Sequence, residues 1–143
     1  MPRHRLQFAW RTDKGRVRAH NEDAVQVDPD SRLVVIADGI GGASAGEVAS
    51  DFATQTVSDC FNAGKSLPED KDEARQRAEE AVEAANRFIW DAARTSPRYA
   101  GMGTTVVAGY AGPDWLVFAH VGDSRLYRLR DGQIEQLTRD HSL

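Results

Sequence analysis

The sequence is short of three things. It has a single cysteine, Cys60, in 143 residues, which leaves out an intramolecular disulfide and any cysteine-rich zinc motif. It has no window approaching the roughly 20 consecutive apolar residues that a membrane helix needs. The basic N-terminus, Met1-Pro2-Arg3-His4-Arg5-Leu6, is followed by no apolar stretch of signal-peptide length, because Arg11, Asp13 and Lys14 arrive too soon. Nor is there a surplus of positive charge. The formal net charge of −4 argues against nucleic acid as a partner, although Arg3, His4 and Arg5 form a small basic end. The expectation is a cytoplasmic protein in a reducing setting, with neither membrane nor nucleic acid among its partners.

What is present reads as one ordinary domain. Hydrophobic residues make up 41% and charged residues 28%, as in globular chains. A chain of this size can bury roughly 68% of its unfolded surface, enough for a core without a covalent staple. Residues 6–12 alternate apolar and polar, and residues 24–27 form a second extended run closed by the turn Asp28-Pro29-Asp30-Ser31. Leu33-Val34-Val35-Ile36-Ala37 is continuously apolar, the pattern of a central strand buried on both faces.

The period then changes. Val48, Ala49, Phe52, Ala53, Thr56, Val57 and Cys60 recur at three and four, predicting a helix over 45–61. A second helix over 69–94 carries the stripe Ala74, Ala78, Ala81, Val82, Ala85, Phe88, Ile89 and Ala92, and the two helices are expected to pack together. Residues 104–111, 115–121, 126–130 and 133–137 are strand-like, with Asp131-Gly132 suited to a two-residue type I′ turn. Trp10, Trp90 and Trp115 read as core or sheet residues, and Cys60 as a small hydrophobe in the core. Strands, two helices and then a meander point to α+β rather than to alternating βαβ units.

Three acidic clusters stand out. Ala37-Asp38-Gly39-Ile40-Gly41-Gly42 puts a carboxylate at the end of an apolar strand, where desolvation must be offset by a cation or by hydrogen bonds, and Gly39 permits close backbone approach. A helix-capping Asp-Gly turn is the competing reading. Upstream, Glu22 and Asp23 precede the strand expected to pair beside Asp38, although alone they would be a solvated loop. Carboxylates converging at strand ends repel unless a hard cation such as Mg²⁺ or Mn²⁺ lies between them. Arg18 is four residues before Glu22, and its planar guanidinium suits phosphate as well as it suits a surface ion pair. Gly122-Asp123-Ser124-Arg125, by itself a polar turn, interrupts an apolar strand pair.

In their order these clusters resemble the PPM (PP2C-like) family of metal-dependent serine/threonine phosphatases, closest to its bacterial branch. The matching elements are Thr12-Asp13-Lys14-Gly15 leading to Arg18, Asn21-Glu22-Asp23-Ala24, Asp38-Gly39 with Gly46-Glu47-Val48-Ala49, Gly101-Met102-Gly103-Thr104-Thr105, and Val121-Gly122-Asp123-Ser124-Arg125. The resemblance implies an α+β fold, a PP2C-like sandwich of antiparallel sheets flanked by helix pairs. Residues 1–143 would be the N-terminal part of one such domain, ending near the family's midpoint, before two further metal-binding aspartates.

The resemblance further implies that Asp38 bridges two Mg²⁺ or Mn²⁺ ions, that the Gly39 carbonyl binds one of them, and that Glu22 helps hold the other. Asp23 would support metal-associated water, Arg18 would clamp the phosphate, and Asp123 would help bind a weaker third ion. The chemistry would be attack by activated water with no side-chain nucleophile. Its partners would be phosphorylated proteins, Ser/Thr kinases and their substrates among them, and open sheet edges would invite self-association.

Ile40 stands where some relatives carry a proposed general-acid histidine, and isoleucine cannot donate a proton. His20 and His141 are the alternatives in this sequence. Two other function classes compete: a non-catalytic module binding phosphoproteins or partner domains, and a phosphate-cradling nucleotide loop. The second lacks the Lys-Ser/Thr ending and the βαβ order it would need.

Overall fold

The computed structural model describes residues 5–42, 44–64 and 66–142, so Arg3 and His4 of the basic end lie outside the described residues. The elements run β1 (Asp23–Asp28), β2 (Leu33–Ile40), α1 (Ala45–Asn62), α2 (Lys71–Thr95), a 3₁₀ turn at Pro97–Tyr99, then β3 (Gly103–Thr104), β4 (Val106–Ala111), β5 (Leu116–Val121), β6 (Tyr127–Arg130) and β7 (Gln133–Gln136). Strands β1, β2, β4 and β5 lie in that order in one antiparallel sheet, with β3 paired to the far end of β2, while β6 and β7 form a separate hairpin. The expected α+β architecture is what the chain adopts, here with one helix pair on one sheet.

Central placement of β2 follows from its pairing on both edges. Asp23 to Asp28 lie opposite Asp38 to Leu33 on one side, and Leu33 to Ile36 lie opposite Tyr110 to Val107 on the other. Burial along β2 nevertheless alternates. Leu33, Val35 and Ala37 are buried while Val34 and Ile36 are half-buried, which corrects the expectation of a strand buried on both faces. The helices cover one face only. The other lines a cleft of about 430 Å³ beneath residues 9–13.

Local chemistry accounts for the helices. The Asp70 carboxylate accepts from the Glu73 amide at 2.8 Å, and the Glu73 carboxylate accepts from the Glu69 amide at 2.8 Å, a reciprocal cap that starts α2. The buried stripe of α2 is Ala74, Ala78, Ala81, Ala85 and Ile89. Small residues there let α1 approach closely, so its own buried face includes Ala49, Ala53, Val57 and Phe61. Phe52 and Val48 sit at the margin of that face, and Phe88 is exposed, edge-on to Phe52 at 5.1 Å. Cys60 is half-buried against the core, as expected of a small hydrophobe.

Three expectations fail. Residues 6–12 form no strand, because alternation favours extended backbone but no partner ladder meets it among the described residues. Trp10 and Trp90 are 59% and 58% exposed, and only Trp115 packs against the core. Trp90 is instead covered by Arg94, whose guanidinium lies 4.1 Å from its ring centroid. The extended run over 104–111 is interrupted at Thr105. Asp131 and Gly132, by contrast, take φ values of 51° and 74°, the two positive angles of the type I′ turn that closes β6 and β7.

Phe61 ties these layers together. It is 1% exposed and packs on Tyr110, with ring centroids 5.3 Å apart. Replacing it with alanine leaves a cavity between α1 and β4, and the Phe61→Ala chain should lose about 3–5 kcal/mol of unfolding free energy in urea titration.

Candidate metal and phosphate site

Where β1 and β2 pair, Asp23 lies opposite Asp38, so two carboxylates meet across the ladder. Like charges this close oppose one another's ionisation. Partial burial, then Asp23 and then Asp123, raises the Asp38 pKa, with Arg18 acting in the opposite sense. Asp38 therefore feels Asp23, Asp123 and Arg18, three of the charged groups that the sequence placed near it, while Glu22 lines the same cleft. Asp38 is a β2 strand residue, and the N-cap of α1 is Ser44, so the helix-capping reading fails.

Gly39 and Gly46 set the position of Glu22. The Gly39 amide donates to the Glu22 carbonyl at 3.0 Å. A Cβ on Gly39 would overlap the Gly46 carbonyl oxygen, and a Cβ on Gly46 would overlap the Glu22 carboxylate. Both glycines permit an approach that no other residue allows. Glu22, Asp23, Asp38, Arg18, His20 and Asn21 line one cleft of about 200 Å³, and Asp123, Asp38, Thr105 and His141 line a second of about 470 Å³. Asp38 belongs to both.

The donors are all oxygens, as a hard divalent cation requires. Yet among the described residues no group of three acidic, histidine or cysteine side chains forms a ligand set by itself. The residues fit a partial shell for Mg²⁺ or Mn²⁺.

The sequence offers no role for Thr105, Ser124 or Asp140, and it names His20 and His141 only as alternative proton donors. Thr105 bonds the Asp38 backbone and, at 2.6 Å, the Ser124 hydroxyl. Segment 138–142 folds back on the Asp123 loop: His141 donates its amide to the Gly122 carbonyl at 3.0 Å and accepts from the Gly122 amide at 3.1 Å. Asp140 pairs with Arg125 at 2.7 Å. His141 stacks on His120, 4.6 Å between centroids, and the buried His120 Nδ1 has no hydrogen-bond partner. His20 reaches Glu47 at 3.4 Å, at the rim of the Arg18 cleft. Ile40 is 64% exposed beside Asp38. A separate apolar groove between α2 and β4 holds none of these polar groups.

Solved structures show which class this sheet, helix pair and acidic strand end define. The chain superposes on the catalytic domain of the serine/threonine phosphatase PstP, a structure in complex with two manganese ions, with a TM-score of 0.80 at 38% identity, covering 91% of this chain and 54% of that one. The fold is that of PP2C-type phosphatase domains.

The chain belongs to the protein phosphatase 2C family, whose profile matches residues 13–142. It is similar to the serine/threonine phosphatase stp of Listeria welshimeri, 39% identical over 141 residues, 96% of this chain and 56% of that protein. PstP of Mycobacterium tuberculosis is 38% identical over 135 residues, 94% of this chain and 25% of its own. The chain thus spans about half the length of the Listeria relative.

Two outcomes follow from the electrostatics. Asp38→Asn removes a carboxylate that like charges and partial burial oppose, so at pH 7 it should raise the melting midpoint of the metal-free chain by roughly 1–3 °C in calorimetry. Burial, then His141, lowers the His120 pKa below its usual 6.5. The unfolded chain therefore takes up that proton first. Its contribution to stability is full above pH 6.5 and is lost as pH falls below that value toward the folded pKa. Urea midpoints of wild type and His120→Phe should accordingly diverge on going from pH 7.5 to 5.5, with the wild type losing more.

Proposed function

We propose that the domain to which this chain contributes is a Mg²⁺- or Mn²⁺-dependent protein serine/threonine phosphatase, acting on phosphorylated proteins such as Ser/Thr kinases and their substrates in the cytoplasm. The observation that carries this reading is Asp38, held at a strand end with Asp23 across the ladder and within electrostatic reach of Asp123 and Arg18. Residues 1–143 would be the N-terminal part of a single phosphatase domain. In this reading Asp38, the Gly39 carbonyl and Glu22 hold the cations, with Asp123 beside them. When bound, the ions acidify water and neutralise charge on phosphoryl oxygens.

The chain's own residues supply the rest. Arg18 binds two phosphoryl oxygens with its fork of N–H groups and fixes the phosphorus for in-line attack. Asp23 orients the attacking water and takes up its proton. Ile40 offers no proton to the leaving alkoxide, so the leaving group is protonated from solvent or from another group. With no closed ligand set among the described residues, this chain alone should turn over substrate weakly or not at all.

The test uses a phosphothreonine peptide and Mn²⁺. Joined to the C-terminal half of the Listeria welshimeri relative, the chain should hydrolyse the peptide. Asp38→Ala should lower kcat about 10³-fold, the loss of several kcal/mol of charge stabilisation. Arg18→Ala should raise KM about tenfold. Peptide binding that persists after chelation and in Asp38→Ala, with no hydrolysis in the joined protein, would establish a binding module instead.

A further inference from the structure

Between β3 and β4 the chain stays in register. Thr104 lies opposite Gly39 and Val107 opposite Ile36, which places Thr105 opposite Asp38. An antiparallel pair of this kind exchanges two backbone hydrogen bonds. Only one is made here: the Thr105 amide donates to the Asp38 carbonyl at 2.9 Å. The Asp38 amide donates to the Thr105 hydroxyl at 3.0 Å rather than to its carbonyl. That carbonyl accepts from the Thr104 hydroxyl at 2.8 Å. The ladder thus swaps a backbone acceptor for a side chain at the residue that carries the central carboxylate.

The same hydroxyl lies 2.6 Å from the Ser124 hydroxyl, next to Asp123. The Thr105 methyl is equally constrained. Gly122 has φ 103°, and a Cβ there would come within 2.6 Å of Thr105 Cγ2. One side chain therefore touches the backbone under Asp38 and both neighbours of Asp123.

We propose that Thr105 is a positioning residue, its hydroxyl and Ser124 holding the Asp38 and Asp123 carboxylates in fixed relation; this rests on the metal-site reading of those aspartates. Thr105 touches no substrate. It acts by fixing strand backbone on one side and the Gly122-Asp123 corner on the other, as outer partners orient metal ligands.

Thr105→Val keeps the methyl and the β-branched shape while removing the hydroxyl, and Thr105→Ser restores the hydroxyl. Two measurements separate the readings: exchange of the Asp38 amide by NMR in the metal-free 143-residue chain, and Mn²⁺ affinity by calorimetry in that chain joined to the C-terminal half of the Listeria welshimeri relative. Thr105→Val should accelerate Asp38 amide exchange about tenfold and weaken Mn²⁺ binding about 10–100-fold. Thr105→Ser should return both close to wild type. Ser124→Ala should leave the Asp38 amide protected and still weaken Mn²⁺ binding.

Unchanged amide exchange in Thr105→Val overturns the proposal, as does unchanged Mn²⁺ affinity in that variant. If Thr105→Val does not fold, Ser124→Ala decides, and wild-type Mn²⁺ affinity there overturns it. If the wild-type chain joined to the C-terminal half of the Listeria welshimeri relative binds no Mn²⁺, the metal-site reading falls instead, and the exchange of the Asp38 amide then judges Thr105 alone.

Discussion

Strand β2 runs from an apolar end buried on one face into a carboxylate, and much of the structure follows from what each half of that strand requires. Its first residues are held by ladders on both edges and by the alanine-rich faces of α1 and α2 on one side. That rigid half fixes where Asp38 emerges. The second half then places Asp38 within reach of Asp23 and Asp123, an arrangement that raises the pKa of Asp38. Like charges gathered on a rigid strand end destabilise the metal-free fold unless protons or cations intervene.

Much of this was legible in the sequence because it is written in local patterns. The helical periods located α1 and α2, and Asp131-Gly132 announced its turn by residue type alone. The order of acidic clusters led to the family before any coordinates, since Arg18, Glu22, Asp38 and Asp123 occur at characteristic places along one chain. The failures share a cause as well. Alternation in residues 6–12 reports extended backbone but not whether a partner strand exists. Trp90 lies just off the stripe of α2, and whether an off-stripe aromatic is covered depends on a neighbour, here the guanidinium of Arg94.

Long-range pairing hid the roles of Thr105 and Ser124 and the contact of His141 with Gly122. Thr105 bonds residues 67 positions before it and 19 after it, and no periodicity or spacing rule links such positions. The one available signal was the doublet Thr104-Thr105 after Gly103, where a hydroxyl residue interrupts an otherwise apolar strand. Gly46 was similarly silent. It was quoted within a motif, but only the fold shows that its missing side chain makes room for the Glu22 carboxylate.

Stability and cation affinity are therefore coupled through the same residues. A cation at Asp38 needs that carboxylate ionised, and burial together with Asp23 and Asp123 raises its pKa, so cation binding weakens as pH falls. A ligand that binds only the folded chain adds RT ln(1 + [L]/Kd) to stability, and here part of that gain cancels repulsion already present. The rigid pairing of β2 is what makes the cancellation specific. The Asp38 backbone is held in place, because the Thr105 amide and hydroxyl bind its carbonyl and amide at 2.9 and 3.0 Å. Relief must come from a change in charge at that point rather than from movement of the strand.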